Sequence, residues 1–264
     1  MSDRITTLIL DWAGTTVDFG CFAPVDAFIT AFEAFGVSPT MEETRAPMGL
    51  QKRAHIKKML SGERLSTLWK KQHGRRFTQE DINCIYAEFE PALFATLDKH
   101  ADVIPGVLEA VAAIREMGIK IGSTTGYTQA MMDVVAPAAK AAGYAPDCLV
   151  CPDETGGIGR PFPYMLWRNL ERLGAQAITN VVKIGDTAAD IEEGKNAGCI
   201  SVGVIKGSSM LGLSWEEYQS KTDVELIALH KITRKKYLDA GANYVLGDIS
   251  ELFTLIQKIN EECK

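Results

Sequence analysis

Five side chains and one backbone N–H in this chain have the types and spacing needed for phosphoryl transfer. Asp11 closes the apolar run "ITTLILD", Thr125 and Gly126 follow "KIGST", and Arg160 lies in "GIGRPFPY". Asp186 follows "VVKIG" in "GDTAAD", with Asp190 at its end. An aspartate can attack phosphorus and form an acyl phosphate, which splits one hard displacement into two easier ones. Attack by one anion on another needs positive charge. Mg²⁺ suits the task, a hard ion that takes carboxylates, carbonyl oxygens, phosphate oxygens and water. Asp11 and Asp186 are the expected ligands, and Asp190 would position a metal-bound water. Arg160 can neutralise phosphate oxygens, while Thr125 and the backbone N–H of Gly126 donate hydrogen bonds to them.

These residues act together only if the fold gathers them. Short apolar runs recur as "ITTLILD", "KIGSTTG", "CLVC", "VVKIGD", "ISVGVI" and "NYVLGD". Between them lie "GVLEAVAAIREMG", "TQAMMDVVAPAAKAAG", "PYMLWRNLERLG" and "DIEEGKNAG", with helical periodicity and glycine stops. Alternation of this kind predicts an α/β fold with a doubly wound, mainly parallel, Rossmann-like sheet. Loops at the carboxyl ends of such strands open on one edge, where these groups would converge.

One block breaks the alternation. From about Cys21 to Lys99 the patterns are helical, as in "PVDAFITAFEAFG", "MGLQKRAHIKKML" and "QEDINCIYAEFEPALFATL". This predicts a helical cap domain over residues 21–99, inserted into a core formed by 1–20 and 100–264. Residues 207–240 form a second helical excursion, to which the catalytic argument assigns no part. With 264 residues, 46% hydrophobic and 23% charged, the chain can bury a sizeable core. A net charge of −6 with no basic block argues against a nucleic-acid partner but leaves room for a small anionic substrate. No apolar run is long enough for a membrane span, and no signal-peptide pattern is visible. The expected location is cytoplasmic, with the six scattered cysteines reduced. Cys148 and Cys151 form a CxxC on a short strand, where residues three apart face opposite ways. With no second pair to complete a site, they read as structural.

The order Asp11 with Thr15, Thr125, Arg160 and "GDTAAD" resembles the haloacid dehalogenase superfamily over essentially the whole chain. That resemblance implies an aspartate nucleophile, Mg²⁺ and a cap inserted after the first strand. In the phosphatases of that superfamily an acid two residues after the nucleophile protonates the leaving alkoxide. Here the position is Ala13, whose carbonyl can still bind Mg²⁺ but which gives no general acid. Such help is typically worth about 10²–10⁴-fold. The segment "APMGLQKRAHIKKM" offers other chemistry: read as a helix, it puts Met48, Lys52 and His55 on one face. By itself such a run reads as a solvated basic face; beside "DWAGT" it reads as chemistry. A partly deprotonated lysine forms a Schiff base with an aldehyde. The protonated imine is an electron sink that lets carbon leave phosphorus as an enamine, with no acid needed at position 13.

The combined set "DWAGTTVDFGCFAP", "PMGLQKRAH", "GSTTGYT", "GRPFPY" and "GDTAAD" is similar to the phosphonoacetaldehyde hydrolase family. The resemblance implies cleavage of phosphonoacetaldehyde to acetaldehyde and phosphate, in the degradation of 2-aminoethylphosphonate. It implies Asp11 as nucleophile, Lys52 as the Schiff-base lysine, and His55 and Tyr127 as proton handlers. Met48 and Cys21 would line the closed site, and the protein would be a homodimer joined through its cap. Two other readings stay open: a Mg²⁺-dependent phosphatase or phosphomutase of the same superfamily, and a non-catalytic phosphate-binding module.

Overall fold

A computed structural model describes residues 4–262; Cys263 lies outside the described residues. At its centre is β1 (Thr7–Leu10), an apolar run buried along its whole length. Burial on both faces is what a helix-covered parallel sheet demands. β1 pairs with β2 (Lys120–Thr124) on one side and β4 (Val181–Gly185) on the other. β3 (Cys148–Val150) extends the first side, and β5 (Ile200–Val204) and β6 (Tyr244–Leu246) extend the second. All pairings are parallel, in the order β3-β2-β1-β4-β5-β6. The sheet therefore grows outward in both directions from β1, and a crevice opens beyond the carboxyl end of β1. The doubly wound α/β fold expected from the alternating pattern is the one observed.

Between β1 and β2 the chain forms α1 (Ala23–Glu33), α2 (Met41–Arg45), α3 (Lys52–Leu60), α4 (Glu63–His73), α5 (Gln79–Phe94) and then α6 (Val107–Glu116). Ile82, Ile85, Tyr86, Phe89 and Leu93 make one buried stripe of α5 at helical spacing. The stripe packs against α1, where the Phe28 ring stacks on Phe89 at 4.2 Å and on the His55 imidazole at 3.9 Å. Thr40 and Thr78 start α2 and α5 with reciprocal capping boxes to Glu43 and Asp81.

Two readings of this block need correction. The helix expected to run from Met48 begins only at Lys52, because Gly49 takes a left-handed φ of 88°. Gln51 then caps α3, its side chain accepting from the N–H groups of Arg53 and Ala54. Met48 therefore does not share a helix face with Lys52, although Lys52 and His55 do share one. In addition, α2 and α4 were not anticipated. α2 has only five residues, and α4 buries only Leu65 and Trp69.

The remaining helices follow as α7 (Gln129–Ala141), α8 (Tyr164–Leu173), α9 (Ala188–Ala197), α10 (Trp215–Ser220), α11 (Asp223–Ala240) and α12 (Leu252–Glu262). The two connectors of the helical block meet at Asp18. Its carboxylate accepts from the N–H groups of Phe22 and Ala23 at the start of α1, and from His100 Nδ1 at 3.2 Å on the returning connector. α10 leans on the outgoing connector, Trp215 and Tyr218 meeting Phe19 edge-on at 5.2 and 5.8 Å.

Replacing Phe28 by alanine removes the ring between Phe89 and the helix that carries Lys52. The expected loss is about 3–5 kcal/mol of stability, read as a lowered urea midpoint. An unchanged midpoint would show that the block is not held by this stack.

Candidate active site

Parallel strands of matched register deliver Asp11, Thr125 and Asp186 to one crevice, and the loop after β3 carries Arg160 into it. The Asp11 N–H donates to the Ile184 carbonyl at 3.0 Å, which fixes the backbone beside β4. Asp11 Oδ1 accepts from Arg160 Nη2 at 2.5 Å. Thr125 orders the next turn by accepting from the Tyr127 N–H at 3.1 Å. Ala13, Cys21, Met48, Gly126 and Tyr127 line the same cavity. His55 and Asp190 do not line it, and both are fully buried behind it.

One oxygen from each of Asp11, Asp186 and Asp190 lies within 4.8 Å of the others. Burial pushes the Asp11 carboxyl up, against the pull of Arg160. Asp186 is raised much further, by burial and then by the charges of Asp11 and Asp190. For Asp190, burial acts in the same upward direction, but Arg160 and Lys183 outweigh it and hold the group low. Counted as ionised, the buried carboxylates Asp11, Asp186, Asp190 and Glu193 outnumber by two the buried cations set among them, Arg160 and Lys183. Asp186 Oδ1 is buried and has no hydrogen-bond partner among the described residues. Excess charge, hard oxygen donors and an unpartnered carboxylate oxygen fit a divalent cation such as Mg²⁺.

Several residues that hold this arrangement escaped the sequence reading. The Ser209 N–H donates to Asp186 Oδ2 at 2.8 Å, and the Tyr237 hydroxyl lies 2.7 Å from the Asp186 carbonyl oxygen. Both belong to the 207–240 excursion, which therefore positions Asp186. Lys183, Glu193 and Thr124 surround Arg160 from below. Only Lys183 carried a signal: a lysine inside the apolar strand "VVKIG" must have a buried acid as partner.

Lys52 reaches the cavity from the opposite wall. It is the first residue of α3 and is buried, its Nζ 4.6 Å from the centre of the Tyr127 ring. Burial lowers its pKa to about 8 against the raising effect of nearby acids. The start of a helix also disfavours a cation. Three residues on, the His55 ring Nε2 donates to the Thr44 carbonyl at 2.9 Å, which leaves Nδ1 the unprotonated ring nitrogen. Burial, then the charge of Lys52, lowers the His55 pKa well below the usual value and keeps the ring neutral. Tyr127 and Cys21 are pushed well upward, by burial first and then by the acidic neighbours, so both stay protonated.

The helical block is seated directly on the core at this point. A Cβ on Gly49 would come within 2.3 Å of Thr187 Oγ1, and one on Gly126 within 2.9 Å of the Leu50 carbonyl oxygen. The cavity left there has a volume of about 20 Å³, room for about one water molecule.

Residues 5–198 match the family model for haloacid dehalogenase-like hydrolases. The chain belongs to this family of hydrolases. It is 48% identical over 98% of its length to the phosphonoacetaldehyde hydrolase of Lysinibacillus sphaericus (strain C3-41), covering 96% of that protein. It is 47% identical, again over 98% of its length, to the bifunctional phosphonoacetaldehyde hydrolase/aminoethylphosphonate transaminase of Clostridioides difficile (strain 630). The chain spans 41% of that longer relative. A crystal structure of a phosphonoacetaldehyde hydrolase-like protein from Oleispira antarctica superposes with a TM-score of 0.96 at 35% identity, covering 99% of this chain and 95% of that one. Within the hydrolases the chain therefore falls in the phosphonoacetaldehyde hydrolase family.

Gly49→Ala should keep the fold, shown by an unchanged far-ultraviolet spectrum, while preventing the block from seating. A displacement of about 1 Å at the reacting groups can cost on the order of 10²-fold in rate, and kcat/KM should fall by that order. Parent-like kcat/KM would mean that the seating is not needed.

Proposed function

We propose that this protein hydrolyses phosphonoacetaldehyde to acetaldehyde and phosphate. One observation carries the reading: a buried lysine with its pKa lowered to about 8 faces a carboxylate nucleophile across a small cavity, while alanine stands where a general acid would be. The helical block, residues 21–99, then serves as a cap over a core of 1–20 and 100–264. The relatives' names and the lining residues support this substrate.

In this reading Asp11, Asp186 and the Ala13 carbonyl hold Mg²⁺, with Asp190 behind them. When bound, the ion offsets the negative charge that Asp11 and the phosphonate would otherwise set against each other. Arg160 and Thr125 bind the phosphonate with the Gly126 N–H. The neutral Lys52 amine adds to the aldehyde, and loss of water gives an imine that is protonated. Asp11 attacks phosphorus, the phosphorus–carbon bond breaks, and its electron pair passes into the iminium as an enamine. Tyr127 supplies the proton that the enamine carbon takes up and regains it from the water that hydrolyses the imine; its buried hydroxyl lacks a partner among the described residues and lines the cavity. Water then hydrolyses the imine to acetaldehyde and frees Lys52, and a second water releases phosphate from Asp11. His55 stays neutral and ties α3 to α2 behind Lys52, while Met48 and Cys21 close the cavity against bulk water. The resemblance to the family extends the proposal to a homodimer joined through the cap and to a cytoplasmic location. Among the described residues no helix is long and apolar enough to cross a membrane.

Lowering the Lys52 pKa from 10.5 to about 8 raises the neutral amine fraction near pH 7 by about 300-fold. kcat/KM should therefore rise as pH increases toward about 8 and level off above it. Lys52→Arg should still bind phosphonate but release neither acetaldehyde nor phosphate, because arginine forms no imine. Borohydride treatment of the parent with substrate should leave its reduced adduct on the Lys52 peptide. Substantial turnover by the arginine variant, or an adduct on another residue, would sink the mechanism.

A further inference from the structure

Behind Asp11 and Arg160 lie three buried groups, Lys183, Glu193 and Thr124, to which the reaction above assigns no part. Each nitrogen of the Arg160 guanidinium faces a protein oxygen. Nε donates to Glu193 Oε2 at 3.2 Å, Nη1 lies 3.0 Å from Asp190 Oδ1, and Nη2 donates to Asp11 Oδ1 at 2.5 Å and to the Thr124 carbonyl at 2.7 Å. Lys183 Nζ enters the same cluster from the sheet, 2.9 Å from Thr124 Oγ1, 2.9 Å from Asp190 Oδ1 and 3.2 Å from Glu193 Oε2. The Thr124 hydroxyl accepts from both cations and donates to Glu193 Oε2 at 2.9 Å. Lys183, Glu193 and Thr124 are each 0% exposed.

A stability role accounts poorly for this cluster. Buried ion pairs rarely stabilise more than apolar residues of the same volume would, and the neighbours of Lys183 in β4 are Val182 and Ile184. Geometry gives the better account. Arg160 is borne on a loop, and a flexible side chain on a loop does not hold a nucleophile in line. Lys183 comes from β4, Thr124 from β2 and Glu193 from α9, three rigid elements with separate anchors. Glu193 accepts from Nε on the side away from Asp11, Thr124 accepts from Nη2 beside Asp11, and Lys183 ties Thr124 to Glu193, so the guanidinium is held in one orientation.

We propose that Lys183, Glu193 and Thr124 are positioning residues that hold the Arg160 guanidinium on Asp11 and so aim the nucleophile at phosphorus. Residues behind a reacting group commonly change rates by about 10–100-fold when removed. The rate readout rests on the reaction proposed above; the geometric readout does not.

The test is the double variant Lys183→Met, Glu193→Gln, which removes one charge of each sign and leaves the net charge of the site unchanged. Its Mg²⁺ affinity, measured by calorimetry, should equal that of the parent. With phosphonoacetaldehyde, kcat should fall about 10–100-fold with little change in KM. Its crystal structure should show Arg160 out of hydrogen-bond reach of Asp11. Arg160 still seated on Asp11, or a parent-like kcat in the folded variant, overturns the proposal. Should the double variant not fold, Thr124→Val removes the hydroxyl that joins the two cations, keeps every charge and is read in the same two ways. A parent enzyme that releases no acetaldehyde would instead defeat the reaction, and the crystal structures would still decide whether the brace exists.

Discussion

The structure is organised around a charge imbalance at the carboxyl end of β1. Four carboxylates and two cations share a space from which water is excluded, and each would cost several kcal/mol if left there alone. Nearly every surrounding feature answers that cost. β1, β2 and β4 run parallel and in register so that Asp11, Thr125 and Asp186 arrive together. Thr187 caps α9 and also donates to Asp190 at 2.5 Å, while Ser209 and Tyr237 hold Asp186. What these partners leave over is two negative charges, the complement of a divalent cation bringing an anionic substrate.

Set against that negative core is a lysine that must lose its proton. Burial lowers the Lys52 pKa, while Cys21, Asp11 and Asp18 favour its charged form. Burial wins, and the result is a compromise near neutrality rather than a lysine titrating far below it. Placing Lys52 on the helical block rather than on the sheet makes that compromise possible, since only the seated block removes the amine from water. The alanine at position 13 fits this division: the sheet handles phosphorus and the helical block activates carbon. An acid at position 13 would add a further negative charge where two are already in excess.

What the sequence made legible follows from which forces act locally. Strands and helices of the sheet domain could be read because apolar periodicity and glycine stops are local signals. The strand-end residues could be read because a parallel sheet collects them at one edge. Met48 was misplaced because "PMGLQKRAH" has helical periodicity, while the left-handed turn at Gly49 breaks it. α4 was missed because its long exposed face hides the two residues that bury it. Lys183 was visible but passed over, since a strand pattern registers apolar residues and the partners of a buried lysine lie on other elements. Ser209 and Tyr237 could not be found in this way, because contact with Asp186 across the sheet leaves no mark in spacing.

The connectors show how the two parts depend on each other. Both pass Asp18, whose carboxylate caps α1 and takes the His100 ring, so outgoing and returning segments are pinned to one point. That hydrogen bond, together with the charge of Asp18, raises the His100 pKa above its usual value, as expected of an imidazole paired with an acid. α10 rests on Phe19 of the outgoing connector, and the excursion that carries it also supplies Ser209 and Tyr237 to Asp186. Arg45 of the helical block completes the link, its Nη1 donating to the Gly20 carbonyl at 2.7 Å and to the Ser209 carbonyl at 3.4 Å. The position of the block is thus tied through backbone carbonyls to the segment that orients Asp186. Through Arg45, the block that carries Lys52 and the segment that holds Asp186 are fixed to one another.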